Sequence, residues 1–202
     1  MAINPKLLRE KYGISIFDFS LSQVNRQKIL LEISSDHLHS TRSHWIYGRW
    51  ENVYINSYLT PSVERLLNRA VSFAGDEYGQ SFLIPSQFLG YPTNEYWFNI
   101  AQPGESTGRH NHKDEAAISG LFYIKVPEDS GELIFFIPGK NKITIPVKEG
   151  RMLLFPADLD HAVDLNRSED ARISLAFNCY SSELPPQLYH QDETYGVHKY
   201  FS

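Results

Sequence analysis

The most informative segment of this chain is Arg109-His110-Asn111-His112-Lys113-Asp114-Glu115. Three of its side chains bind transition metals well and occupy alternate positions: His110, His112 and Asp114. Because alternate residues of a β-strand point to the same face, a strand end here would direct all three side chains to one place. The segment therefore predicts one half of a metal site.

The other half is predicted at His161, which follows the turn-like segment Phe155-Pro156-Ala157-Asp158-Leu159-Asp160. Two histidines and a carboxylate can hold iron on one face and leave the opposite face open. His112, Asp114 and His161 would supply that set, whereas His110, His112 and His161 would supply three imidazoles. The residues leave both sets open, and both sets contain His112 and His161.

Arg172 indicates a second ligand beside the metal. It lies eleven residues after His161, which is enough for the chain to turn and return as a neighbouring strand, with Ser174 on the same face as Arg172. An arginine inside an apolar barrel is costly without an anionic partner, and its planar fork suits a carboxylate. The alternative is a surface arginine that pairs with Glu169 or Asp170.

The chain after Pro92 reads as short strands separated by turns, with no helix between them. The strand patterns cover residues 96–101, 118–126, 132–137, 142–146, 152–155 and 171–180. Short strands at this spacing are typical of an antiparallel barrel or sandwich. We therefore expect a mainly β fold.

The first 90 residues are predicted to form a mainly helical support layer. Helical patterns cover residues 4–12 and 21–33, and a third helix begins after Thr60-Pro61 and ends at Gly75 or Gly79. Residues 14–19 alternate like a strand, and residues 34–51 are predicted to form a loop. The full prediction is one domain over 1–202, with the support layer in 1–90, the β core in 91–182 and a C-terminal tail in 183–202.

Composition narrows the class of protein. The chain has 202 residues, is 42% hydrophobic and 21% charged, and carries a formal net charge of −5, which argues against general nucleic-acid binding. Its one cysteine, Cys179, excludes an internal disulfide. No segment has the apolar length of a membrane span or a signal peptide, so we expect a cytoplasmic protein without a membrane partner.

From about Tyr96 to Asn178 the chain resembles the Fe(II)- and 2-oxoglutarate-dependent oxygenase superfamily, and most of all its branch described as putative 2OG-Fe(II) oxygenases. The shared motifs are Trp97-Phe98-Asn99, His110-Asn111-His112, Ser119-Gly120-Leu121-Phe122-Tyr123 with Val126-Pro127, Phe155-Pro156 to His161, and Arg172-Ile173-Ser174 with Phe177-Asn178. The resemblance implies a double-stranded β-helix, the jelly roll that cupins also have. Lys113-Asp114-Glu115 departs from the branch, whose members often have proline after the second histidine.

The resemblance also implies an activity. Such enzymes use Fe(II), 2-oxoglutarate and O2, and they oxidise a substrate with release of succinate and CO2, most often by hydroxylation. Arg172 would bind the far carboxylate of 2-oxoglutarate with help from Ser174 and Tyr123, while His112 and His161 would hold the metal. We expect a small molecule or a protein side chain as substrate. The C-terminal tail, residues 183–202, would pack over the outside of the barrel or at a subunit contact. A subunit contact would make the protein a homo-oligomer.

Two other functions remain open from the sequence. The histidine segments also resemble those of cupins through Gly104, His110, His112, Gly150, Pro156 and His161, although Asp158 stands where cupins usually have glycine. A cupin-type metal-dependent enzyme or a metal-binding sensor would not use 2-oxoglutarate and would not need Arg172. The second of these other functions is that of a non-catalytic barrel that only binds a partner. A second pair, His37 and His39, has no third ligand at useful spacing and is predicted to be structural.

Overall fold

The computed structural model describes residues 4–19, 21–34, 40–46, 49–139 and 142–181. The predicted C-terminal tail, residues 183–202, and the His37-x-His39 pair lie outside these ranges. Within them the chain forms two antiparallel sheets and three α-helices. No helix in this part of the chain is both long and apolar enough to cross a membrane.

The helices are α1 (Pro5–Tyr12), α2 (Gln23–Ser34) and α3 (Glu64–Tyr78), and short 3-10 turns cover Ser57–Leu59, Pro61–Val63 and Gln87–Leu89. The strands are β1 (Ser15–Asp18), β2 (Ser40–Ile46), β3 (Arg49–Ile55), β4 (Phe82–Leu83), β5 (Tyr96–Ala101), β6 (Thr107–His110), β7 (Ile118–Lys125), β8 (Leu133–Phe135), β9 (Ile143–Ile145), β10 (Arg151–Pro156), β11 (His161–Val163) and β12 (Arg172–Ser181).

The two sheets form a jelly roll. In the described residues the larger sheet has eight strands in the order β1-β10-β7-β12-β5-β3-β2, with β4 paired to β12. The smaller sheet has four strands in the order β6-β11-β8-β9. From β5 to β12 the chain passes between the two sheets, so that strands distant in sequence become neighbours. This is the predicted double-stranded β-helix.

The helix ends follow local sequence. At α1 the side chain of Asn4 accepts a hydrogen bond from the Leu7 backbone, Pro5 occupies the first turn, and Gly13 ends the helix in the left-handed conformation. At α3 the Thr60 side chain does not cap the helix. A 3-10 turn intervenes before α3 begins, and the buried Thr60 hydroxyl lies 3.5 Å from that of Tyr96.

The core lies on both faces of the larger sheet. One cluster packs the outer face of this sheet against α2 and α3, where α3 buries Leu66, Leu67, Ala70 and Ala74. The second cluster lies between the sheets and is built from residues of β7, β8, β9 and β10. The cavity described below lies between the two sheets as well, so its position depends on both clusters.

Gly120 shows how closely the larger sheet packs. A Cβ atom at this position would clash with the Phe177 ring and lie 2.8 Å from Cδ2 of Leu154. Glycine therefore lets the Phe177 ring lie over β7. This explains in physical terms why glycine follows Ser119 in the strand.

The loop predicted for residues 34–51 is wrong for the described part of that segment. β2 and β3 form an antiparallel hairpin there, and β3 continues the larger sheet by pairing with β5 at Asn52↔Asn99 and Val53↔Phe98. The support layer is therefore partly β. The sequence of the hairpin lacks clean alternation, so the pairing of β3 with β2 and β5 could not be predicted from local periodicity.

Candidate active site

Three predicted metal ligands come together at one end of the jelly roll. His110 ends β6, His161 begins β11, and the two are direct partners across these strands. His112 completes the group, and the ligand atoms of the three histidines all lie within 4.8 Å of one another. This cluster joins the two halves that the sequence placed far apart.

His112 is held by its backbone rather than by a strand. Its N–H donates to the Ala157 carbonyl at 2.7 Å, and its own carbonyl accepts from the N–H groups of Glu115 and Ala116. Its ring lies beside the Trp97 indole, with 5.7 Å between ring centroids. The turn after β6 therefore folds the second histidine back toward the first.

The hydrogen bonds of the three imidazoles leave the same nitrogen for a metal. The Nδ1 atoms of His110 and His161 lie 2.8 and 3.0 Å from the carbonyls of Gly108 and Leu159. Nδ1 of His112 lies 3.3 Å from the Glu115 carboxylate. Because each Nδ1 faces an acceptor, the proton belongs there and Nε2 keeps its lone pair.

This donor set fits Fe(II). Imidazole is a good ligand for iron, and a set of three ligands leaves coordination positions for other molecules. Burial, and secondarily the neighbouring His110, lowers the pKa of His161 to about 3. His161 is therefore neutral at physiological pH, as a metal ligand must be.

The fourth predicted ligand, Asp114, is not part of this cluster. β6 ends at His110, and residues 113–115 form a turn that leaves Asp114 exposed. The alternation predicted through Asp114 is therefore wrong beyond His110. The geometry favours the three-histidine set over the set with one carboxylate, while metal binding by these residues stays a prediction.

A cavity runs from the histidines into the jelly roll. Most of its lining comes from residues two apart, which share a strand face. The lining residues are Trp97, Asn99, Thr107, His110, His112, Ser119, Gly120, Leu121, Tyr123, Phe155, His161, Val163, Arg172, Ser174, Ala176 and Phe177. The register of β7 with β12 gives the order of these residues along the cavity wall. Leu121 and Ala176 face one another, Tyr123 and Ser174 form the next inward pair, and Arg172 lies one step deeper.

Arg172 is buried, as predicted, with 4% of its surface exposed. Its Nη1 donates to the carbonyls of Ser130 and Asp164, which fix the guanidinium at the end of the cavity away from the mouth. The surface alternative is wrong: Asp170 is paired with Lys125 at 2.6 Å. The guanidinium places a positive charge on the cavity wall, near enough to act on the Asp164 carboxylate, and an anion bound in the cavity would gain a charge-assisted partner there.

Tyr123 supplies the clearest sign of a ligand beside Arg172. Its hydroxyl is buried and, among the described residues, has no hydrogen-bond partner. Burial raises the pKa of Tyr123, and the nearby Arg172 charge partly opposes that rise. A protonated hydroxyl and a guanidinium on one cavity wall suit a carboxylate, so the wall fits the far end of 2-oxoglutarate.

Sequence reasoning missed Asp160. Its carboxylate accepts hydrogen bonds from Arg109 and Asn111, and these bonds lower the pKa of Asp160. An aspartate directly before the distal histidine was the available sign. Without the pairing of β6 with β11, however, nothing in the sequence indicated its partners.

The family model described as "Putative 2OG-Fe(II) oxygenase" matches residues 95–144 and 138–178, which span β5 to β12 apart from its last residues. Through this core, the chain is similar to a family whose description names Fe(II) and 2-oxoglutarate. The three histidines of the cluster could hold a metal ion. No curated protein matches the chain.

Solved structures of 2OG-Fe(II) oxygenases share this fold. A 2OG-Fe(II) oxygenase family oxidoreductase from Burkholderia pseudomallei is 15% identical with a TM-score of 0.64, and the match covers 87% of each chain. The epimerase SnoN, solved with Fe3+, alpha ketoglutarate and nogalamycin RO, is 14% identical with a TM-score of 0.69 over 90% of this chain and 85% of SnoN. A Pseudomonas putida prolyl-4-hydroxylase is 15% identical with a TM-score of 0.56 over 86% and 89%.

Proposed function

We propose that this protein is an Fe(II)- and 2-oxoglutarate-dependent dioxygenase that hydroxylates a small molecule or a protein side chain, with release of succinate and CO2. The observation that carries the proposal is the placement of Arg172 in the same cavity as the three histidines. A cupin-type metal enzyme or sensor would need the histidines alone. A carboxylate bound beside the metal would suit the buried guanidinium and the Tyr123 hydroxyl, which has no hydrogen-bond partner in the part of the chain that the structure describes.

In this proposal, the metal ligands are His110, His112 and His161. Their Nδ1 hydrogen bonds hold each ring so that Nε2 faces the common centre, which keeps the cost of ordering the site low when the metal binds. Bound Fe(II), with 2-oxoglutarate and O2, supplies the oxidising power for the reaction.

Arg172 would pair with the far carboxylate of 2-oxoglutarate, while Tyr123 donates its hydroxyl proton to the same group. Ser174, which is 9% exposed and lies opposite Tyr123 across the strands, would add a third hydrogen bond. Between these residues and the histidines, Leu121 and Ala176 exclude water from the middle of the cavity. The chain thus orients one small dicarboxylate with its other end at the metal.

Hydroxylation is the outcome we propose, and the fold alone does not fix it. The epimerase SnoN shares the architecture with the prolyl-4-hydroxylase. The net charge of −5 supports a substrate other than nucleic acid, and we propose no membrane partner. Mass spectrometry of metabolite and peptide libraries after incubation should find a product with one added oxygen atom, and a product without added oxygen would refute hydroxylation.

The use of 2-oxoglutarate can be tested by binding. Calorimetry on the protein loaded with Co(II), an oxygen-stable substitute for Fe(II), should detect 2-oxoglutarate binding. Arg172→Gln should weaken this binding at least about 100-fold, because it removes the charge-assisted hydrogen bonds between the guanidinium and the far carboxylate. Arg167→Gln is the matched control, because Arg167 is half exposed and pairs with Asp164 outside the cavity. Equal affinity in Arg172→Gln and the unaltered protein would favour the cupin-type alternative.

A further inference from the structure

Asp160 bonds to the residues on both sides of His110. Oδ2 of Asp160 accepts from Nε and Nη2 of Arg109 at 2.8 and 2.5 Å, and Oδ1 accepts from Nδ2 of Asn111 at 2.6 Å. The next residue in the chain is His161. One carboxylate therefore connects the segment of the first histidine to the residue directly before the last one.

The position of Asp160 is itself fixed from a third strand. The N–H of Phe136, directly after β8, donates to the Asp160 carbonyl at 2.9 Å. The guanidinium of Arg109 lies over the Phe136 ring, 4.4 Å from its centroid. Arg109 is therefore held from two directions, by the carboxylate and by the ring.

At this point the histidine pair is otherwise held by the Nδ1 hydrogen bonds of the two rings and by the pairing of His161 with Phe135 of β8. His110 and His161 are direct partners, but the pairing of β6 with β11 is irregular between His161 and Val163, and β6 ends at His110. Past the strand end, no further ladder bond of β6 fixes the chain. The Asp160 hydrogen bonds act where the ladder stops.

We propose that Asp160 is a positioning residue that sets the distance and orientation of the His110 and His161 imidazoles through Arg109 and Asn111. This inference rests on the proposed metal site, because it concerns two of its ligands. A metal site needs its ligands within about 0.5 Å of the working geometry. Loss of such outer partners typically weakens metal affinity 10–100-fold.

A rival explanation is electrostatic. A carboxylate near a cation site attracts the cation without any positioning, and Asp160→Asn would weaken metal binding on either account. Asn111→Ala separates the two without changing any charge, because it removes the bond from Asn111 to Asp160, together with the 3.3 Å bond that Asn111 Oδ1 accepts from the Lys113 N–H. Asp158→Asn is the matched charge control, since Asp158 is an exposed carboxylate two residues before Asp160.

The test measures Co(II) affinity of the full chain by competition with a chromophoric chelator. Asp160→Asn and Asn111→Ala should each weaken Co(II) binding about tenfold or more and change the shape of the Co(II) visible absorption band. Asp158→Asn should stay within about twofold of the unaltered protein. Urea unfolding of the metal-free proteins, recorded alongside, should show little change in any of the three variants.

Each other result has a definite meaning. Normal affinity in Asn111→Ala would overturn the positioning role and leave only the charge effect. The variants could also lose Co(II) affinity in parallel with the unfolding stability of the metal-free protein. In that case the Asp160 hydrogen bonds would be a general structural contact, and the inference would be overturned as well. If the unaltered protein does not bind Co(II), the proposed metal site fails, which is distinguishable from failure of the clamp alone.

Discussion

The hydroxyl of Tyr123 forms a useful hydrogen bond only when a ligand binds beside it. Since this buried group has no partner among the described residues, Tyr123→Phe should leave the free energy of unfolding of the ligand-free protein unchanged or slightly higher. The same substitution should weaken 2-oxoglutarate binding about 10-fold, because it removes a hydrogen bond to a charged group. Urea unfolding and calorimetry measure the two quantities. A large loss of stability with normal binding would make Tyr123 a packing residue.

The third metal ligand can be decided at His110 and Asp114. His110→Ala should reduce Co(II) affinity at least about 100-fold, because it removes one of three ligands from a converged set. Asp114→Ala should leave affinity within about twofold, since Asp114 lies exposed on the turn after the cluster. Equilibrium dialysis gives both values. The reverse pattern would restore the set of two histidines and one carboxylate.

Among the elements, β7 tolerates the least change. Gly120→Ala should lower the free energy of unfolding by about 1–3 kcal/mol, because the added methyl overlaps the Phe177 ring and crowds Leu154. Gly108→Ala in β6 is the matched control, since no atom lies within 4 Å of its added Cβ. Urea denaturation compares the two variants with the unaltered protein. Equal stability of both variants would mean that the sheet can shift at no cost.

Strands rich in aromatic and aliphatic residues and bounded by turn residues are predictable from the sequence, and strands defined by their neighbours are not. β5 and β7 agree with the prediction to within one residue, because each is a short apolar run next to turn residues. The hairpin of β2 and β3 and the three-residue β11 were missed. Their residues are placed by pairing with distant strands, which local periodicity does not report.

The active site divides in the same way. His161 and Arg172 were predicted from local sequence, because His161 follows a turn-like segment and Arg172 lies eleven residues later, with Ser174 on the same strand face. The choice between His110 and Asp114 depended on where β6 ends, and the role of Asp160 depended on which strand lies beside it. Both facts belong to the tertiary structure.

At the scale of the whole molecule, an ion pair ties the N-terminal strand to the jelly roll. Asp18 at the end of β1 accepts from Nε and Nη2 of Arg151 in β10 at 2.8 and 2.9 Å, and Lys148 lies 2.9 Å from the same carboxylate. The hydrogen bond from Arg151, with help from Lys148, lowers the pKa of Asp18 from 3.8 to about 2. The charged carboxylate is thus the form that the folded state prefers.

The sign of the pH dependence follows from this shift. A carboxyl group with a lowered pKa stabilises the fold fully above its unfolded value of 3.8, and that contribution disappears as the pH falls from 3.8 towards 2. Because Asp18 is 40% exposed, solvent screening reduces the contribution to about 1 kcal/mol. Asp18→Asn should therefore lose about 1 kcal/mol of stability at pH 7 and nothing near pH 2. Urea unfolding between pH 2 and pH 7 measures this loss of stability, with Asp158→Asn as the control. If Asp18→Asn is still less stable than the unaltered protein at pH 2, the shape of the Asp18 side chain rather than its charge is what stabilises the fold.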